Sequence, residues 1–149
     1  MPSKQVKDIL EHIRSFHHRL SELYEDLSEH GSDERLELLL KYLARHEENF
    51  NECLGRYEKD AAKGVLETWL QFAADDTLDE ALKHVGLHED MDVEEVIRCA
   101  MSLDRKVVEL YRDLADATAA PRVRELFENL IEMEESKDHQ YARSILEFE

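Results

Sequence analysis

Little in this sequence can turn a chain sharply. Four glycines and two prolines are spread over 149 residues, too few to punctuate a fold of many short strands, which needs turn residues between them. Two cysteines, Cys53 and Cys99, lack CxxC or metal-finger spacing, so neither a disulfide framework nor a zinc finger is indicated. They are expected to be small residues in or beside the core of a chain kept in a reducing compartment. No apolar run approaches the roughly 20 residues of a spanning helix. Met1, Pro2, Ser3, Lys4 and Gln5 lead straight into an amphipathic pattern, so no membrane partner and a cytoplasmic location are expected. Basic residues are also few: 19 Lys and Arg against 36 Asp and Glu leave a formal charge of -17. Such a surface repels phosphate and argues against nucleic acid as a partner, while keeping the exterior well solvated.

What is abundant is Leu, Glu, Ala, Lys and Arg, the residues of long helices. The length suits one domain, residues 1–149, with a core that needs no staple. Apolar residues recur at three-four spacing from Val6 to Leu27 and from Leu36 to Leu54, separated by Gly31, Ser32 and Asp33, which read as a stop and a new N-cap. The pattern predicts a helical hairpin over about residues 4–59. A second hairpin is predicted over about residues 92–147: Asp92 opens a capping box with Glu95, Val93 to Leu114 is periodic, and Pro121 suits the first turn of a helix reaching about Leu146. Residues 60–91 between them carry Val65, Leu66, Trp69, Leu70 and Phe72 and a short helix from Thr77 to Val85. They are expected to form a crossover whose Trp69 caps one end of the molecule.

The two hairpins repeat each other at an offset of 87 residues. Ser15, Glu22, Leu23, Tyr24, Asp26 and Leu27 fall on Ser102, Glu109, Leu110, Tyr111, Asp113 and Leu114. Arg35, Leu43, Glu47 and Glu48 fall on Arg122, Leu130, Glu134 and Glu135 with no gap. The fold class expected is therefore all-α, an antiparallel four-helix bundle of two pseudo-symmetric hairpins joined by a long crossover.

Each long helix has a seam of core positions, and one polar residue interrupts each seam. The first runs Val6, Leu10, Ile13, His17, Leu20, Tyr24 and the second Leu36, Leu40, Leu43, Glu47, Phe50, Leu54. The third runs Val93, Ile97, Ala100, Asp104, Val107, Tyr111 and the fourth Val123, Phe127, Leu130, Glu134, Lys137, Tyr141. His17, Glu47, Asp104 and Glu134 lie mid-helix, where antiparallel packing would bring them to one height. Shifting the register by one residue gives wholly apolar seams in the first and third helices, Ile9, Ile13, Phe16, Leu20 and Val96, Ala100, Leu103, Val107, which would move His17 and Asp104 to the edge of the core. Three buried carboxylates would repel one another, so a positive group is expected among them.

At these residues the sequence resembles the ferritin-like superfamily, rubrerythrins and bacterioferritins among them, in which a duplicated hairpin holds a carboxylate-bridged di-iron centre. In that pattern a Glu lies seven residues before a Tyr in the first helix of each hairpin, and Glu-x-x-His follows a Leu-Ala-like pair in the second. Here His17 precedes Tyr24 and Asp104 precedes Tyr111 at that spacing, and Leu43-Ala44 and Leu130-Ile131 precede Glu47 and Glu134. The resemblance covers nearly the whole chain. His17 and Asp104 stand where Glu is expected, and Phe50 and Lys137 stand where His is expected. Two irons need about six protein ligands, so a standard di-iron oxidase or peroxidase is not indicated.

Two readings of the cluster follow. His17, Glu47, Asp104 and Glu134 can hold a single Fe, Mn or Zn ion, the resemblance then implying a role in iron or oxidative-stress handling. In the other, Lys137 neutralises Glu47 and Glu134 while a protonated His17 neutralises Asp104, giving a metal-free polar core in a dimerisation or adaptor module. A different inward-facing set is a third arrangement. Tyr24 and Tyr111 are supporting residues, expected to be core tyrosines with satisfied hydroxyls. His139, four residues after Glu135, reads as part of a solvated face. The remaining histidines match neither a hemerythrin nor a histidine phosphotransfer domain. As ferritin-like bundles often pair, a homodimer is the expected partner.

Overall fold

The computed structural model describes residues 3–31, 33–71 and 77–148. The chain is all-α, with six helices and one small two-stranded ribbon among the described residues. Four helices are long: α1 (Val6–His30), α2 (Glu34–Asp60), α5 (Val93–Ala117) and α6 (Pro121–Phe148). Two are short, α3 (Lys63–Leu66) and α4 (Thr77–Lys83), and strands β1 (Ser3–Gln5) and β2 (Trp69–Gln71) pair antiparallel with Gln5 opposite Trp69. Helix α1 packs along α2, and α5 along α6. The starts of α1 and α5, and those of α2 and α6, keep the offset of 87 residues seen in the sequence.

Local chemistry accounts for where the long helices begin. The Asp33 carboxylate accepts from the Arg35 N–H at 2.9 Å, satisfying one of the orphan donors of α2. At α5 the capping box is complete: Glu95 N–H donates to the Asp92 side chain at 2.8 Å and the Glu95 side chain accepts from Asp92 N–H at 3.5 Å. Helix α1 follows Gln5, which makes no side-chain cap; instead Val6 N–H donates to the Thr68 carbonyl at 3.0 Å. The ribbon thus ties the first turn of α1 to the connection between the hairpins. Three-residue strands leave no periodicity, so nothing in the sequence pattern marks them.

Both alternative seams of α1 are buried, Ile9, Ile13, Phe16 and Leu20 together with Leu10, His17 and Tyr24. Both are buried in α5 too, Asp104 and Tyr111 alongside Val96, Leu103 and Val107. A helix wedged between more than one neighbour hides a wider stripe than a single seam. His17 and Asp104 are consequently inside the core and not at its edge.

The connection differs from expectation at Trp69, which is 65% exposed. It lies on the ribbon opposite Gln5, and the apolar cover in this part of the chain comes instead from Leu78 and Met91, both buried. Val65, Leu66 and Leu70 are partly buried against the core, and Phe72 lies outside the described residues. Helix α4 stops at Lys83, short of Val85, just before Gly86 turns the chain at φ 72°. Cys53 and Cys99 are free thiols, half-buried.

Two substitutions separate these features. Asp92→Ala removes the capping box and is expected to cost about 1 kcal/mol in urea unfolding. Trp69→Ala is expected to change stability by no more than about 0.5 kcal/mol, as an exposed side chain should. A large loss from the latter would mean that Trp69 does cover the core.

Candidate functional site

The four polar seam residues converge. His17 from α1, Glu47 from α2, Asp104 from α5 and Glu134 from α6 are each fully buried, and Lys137, one turn after Glu134, is 2% exposed. His17 stands between two carboxylates: Nδ1 is 2.7 Å from Glu47 Oε2 and Nε2 is 2.8 Å from Glu134 Oε1. With an acceptor at each nitrogen, the ring satisfies both only as the doubly protonated imidazolium. Lys137 Nζ lies 2.8 Å from Asp104 Oδ1, 3.0 Å from Glu47 Oε1 and 3.3 Å from Glu134 Oε2. The contact with Glu47 is an aligned hydrogen bond, whereas those with Asp104 and Glu134 are close ion contacts that leave Asp104 Oδ1 and Glu134 Oε2 without one.

The pairing differs from expectation in one respect. Lys137 faces all three carboxyl groups, and His17 faces Glu47 and Glu134 but not Asp104. The imidazole is rigid, and its two nitrogens, on opposite sides of the ring, reach the two carboxylates of α2 and α6. The long flexible arm of Lys137 is what reaches Asp104.

Two further residues complete the cluster. Tyr141 O–H donates to Glu47 Oε1 at 3.0 Å. It sits on the α6 seam one turn beyond Lys137, so its burial was legible although its bond was not. The Phe50 ring packs edge-on against the His17 ring at 5.2 Å between centroids and lies 4.5 Å from Lys137 Nζ. At one expected histidine position the chain therefore carries an aromatic face that contacts the cation at the other.

Burial opposes charge throughout the cluster, and the neighbours decide each outcome. For Lys137, burial is outweighed by Asp104, Glu134 and Glu47, which hold its pKa well above the ordinary value. For His17, burial and Lys137 disfavour the proton, but Glu134 and Glu47 outweigh them and the pKa is raised. Glu47 resists burial through Lys137 and His17, which bring its pKa down to about 2. Asp104 goes the other way: burial raises its pKa well above the usual carboxylate range despite Lys137. The nearby Asp138 carboxyl, half-buried, is likewise raised by burial.

Several polar atoms here have no hydrogen-bond partner: both oxygens of Asp104, Glu134 Oε2, and the hydroxyls of Tyr24 and Tyr111. The two tyrosines are fully buried, one on α1 and one on α5, and their hydroxyls are not satisfied by protein as core tyrosines usually are. His139 is exposed, and Glu135 approaches Arg112 at 3.5 Å in place of it.

The residues as placed do not fit a metal ion. Lys137 Nζ occupies the point where the three carboxylates converge, and both nitrogens of His17 are engaged. Among the described residues no group of three or more His, Cys, Asp or Glu side chains is arranged to hold one. Among the described residues no helix is long and apolar enough to cross a membrane. No family model, curated protein or solved structure matches the chain.

The network makes two measurable demands. Lys137→Met keeps the bulk but leaves the carboxylates short of a cation, and a loss of about 3–5 kcal/mol is expected in urea unfolding. Stability should also depend on pH in both directions. The lowered pKa of Glu47 contributes stability above about 4.5 that is lost as pH falls toward about 2. The raised pKa of His17 contributes stability that is full below 6.5 and lost as pH rises through its folded value. Urea midpoints that do not vary from pH 5 to pH 9 would contradict the charged His17, and the alkaline decline should shrink in His17→Gln.

Proposed function

We propose that this chain is a ferritin-like antiparallel four-helix bundle, built by duplication of a helical hairpin, in which a buried ion-pair network stands in for the metal centre. It serves as a binding or dimerisation module and not as a redox enzyme. The observation that carries this reading is the Lys137 ammonium within 3.3 Å of Glu47, Asp104 and Glu134. A tethered cation at that point supplies the positive charge that converging carboxylates require, with none of the open coordination positions on which metal chemistry depends. The common offset of 87 residues in the long-helix starts supports the duplication. A homodimer or an adaptor partnership is the role this leaves for such a module.

A second reading is favoured by the unpartnered oxygens of Asp104, Glu134, Tyr24 and Tyr111. In it Lys137 swings out and a single Fe, Mn or Zn ion takes His17, Glu47, Asp104 and Glu134 as ligands, for a role in iron or oxidative-stress handling. Metal analysis of untagged protein, grown with iron and manganese and then reconstituted, separates the two. The metal-free reading expects less than about a tenth of an equivalent, unchanged by reconstitution; binding near one equivalent that survives a chelator of modest affinity would sink it.

A further inference from the structure

The outer face of α2 and α6 opens into a trough directly above the buried charges, about 640 Å³ in volume. The trough is closed at both ends by side chains that bridge the helices. At one end the Asn129 amide donates to the Tyr57 hydroxyl at 3.0 Å, and at the other His46 Nε2 and Gln140 Oε1 lie 2.6 Å apart. The two bridges are equally spaced along α2 and α6 but in opposite senses, so the helices run antiparallel. At 1.5 Å rise per residue, they lie about 16 Å apart.

The lining carries few charged groups. Phe50 and Met133 supply an apolar floor, Asn49 and Ser136 supply uncharged hydrogen-bonding groups, and the only ionisable acid is Glu132. Lys137 also borders the trough, but its charge is taken up by Glu47, Asp104 and Glu134 beneath it. Among the described lining residues Lys137 is the one lysine or arginine, so an anion meets no unpaired ammonium or guanidinium in the lining itself, on a chain whose formal charge of -17 already repels it. A cation would find a single carboxylate to pair with. The volume lies within the roughly 300–1,000 Å³ of small-molecule sites, which combine an apolar floor with a few polar groups in this way. A partner helix running through the trough would have to break both end bridges, whereas a short flat molecule breaks neither.

We propose that the trough between α2 and α6 binds a small, uncharged, planar aromatic molecule bearing hydrogen-bonding heteroatoms. Its ring lies over Phe50 and against the Met133 sulfur, a favourable sulfur–aromatic contact, and its edge meets the amides of Asn49 and Asn129. The proposal rests on the reading of the protein as a metal-free binding module, whose ligand class it names.

The test is a fluorescence titration of the full chain with N-phenyl-1-naphthylamine, an uncharged aromatic amine that brightens in apolar sites. Cys53 lines the trough and reports occupancy through its rate of alkylation by iodoacetamide, followed by peptide mass analysis. One-site binding that slows alkylation of Cys53 and leaves Cys99 unchanged is expected. Met133→Glu should weaken binding by about tenfold or more, a change of about 1.4 kcal/mol, and Ser136→Glu, at an exposed position, serves if the first variant does not fold. Trp69→Ala and Leu146→Ser, which alter exposed apolar side chains elsewhere, should bind as the parent does. Binding unaffected by a charge in the trough, loss of binding in Trp69→Ala, or equally tight binding of an anionic naphthalene sulfonate would each overturn the proposal. So would protection of Cys53 by a basic amphipathic peptide and not by the probe, which would assign the trough to a partner helix. Metal content is measured on the same sample: near one equivalent of iron sinks the metal-free reading, whereas a flat titration of iron-free protein sinks only the trough.

Discussion

Lys137 holds the centre of this protein together. Three carboxyl groups from three different helices cannot share a dry interior unless something positive stands among them, and a single ammonium touches all three. His17 supplies the second cation, and its two nitrogens tie α1 to α2 and to α6. Since each long helix contributes at least one member, sliding any of them by a turn would separate a charge from its partner. The network thus sets the register among helices whose apolar seams, read alone, tolerate more than one alignment.

The network also shapes its surroundings. Phe50 lies against both His17 and Lys137, so the aromatic side chain excludes water from the cations on one side and floors the outer trough on the other. Tyr141 reaches the same Glu47 oxygen that Lys137 holds, which places a hydroxyl, an ammonium and an imidazolium around one carboxylate. Glu47 is the best-satisfied acid of the cluster and Asp104 the least. That difference in donors matches the opposite directions in which their pKa values move.

Position along each helix was legible from sequence because helical periodicity is short-ranged: His17, Glu47, Asp104 and Glu134 each interrupt an apolar run at heptad spacing, and Lys137 follows Glu134 on the same seam. Helix limits were legible for a similar reason, since Asp33, Asp92 and Pro121 act on the turn that contains them. The paired three-residue strands and the exposure of Trp69 join residues far apart in the chain or turn on packing, and carry no periodic signal.

By itself the sequence determined that the chain is helical, where its long helices start, and that polar residues must lie on their buried faces. Those are consequences of local propensity, capping and spacing. Only the tertiary structure decided which charge meets which. Pairing depends on how far each side chain reaches across the core: a rigid imidazole bridges Glu47 and Glu134, and a long flexible lysine extends to Asp104. The few basic residues noted at the outset carry the same lesson, for one of the 19 is buried at the centre and its position there, not its number, sets the character of the site.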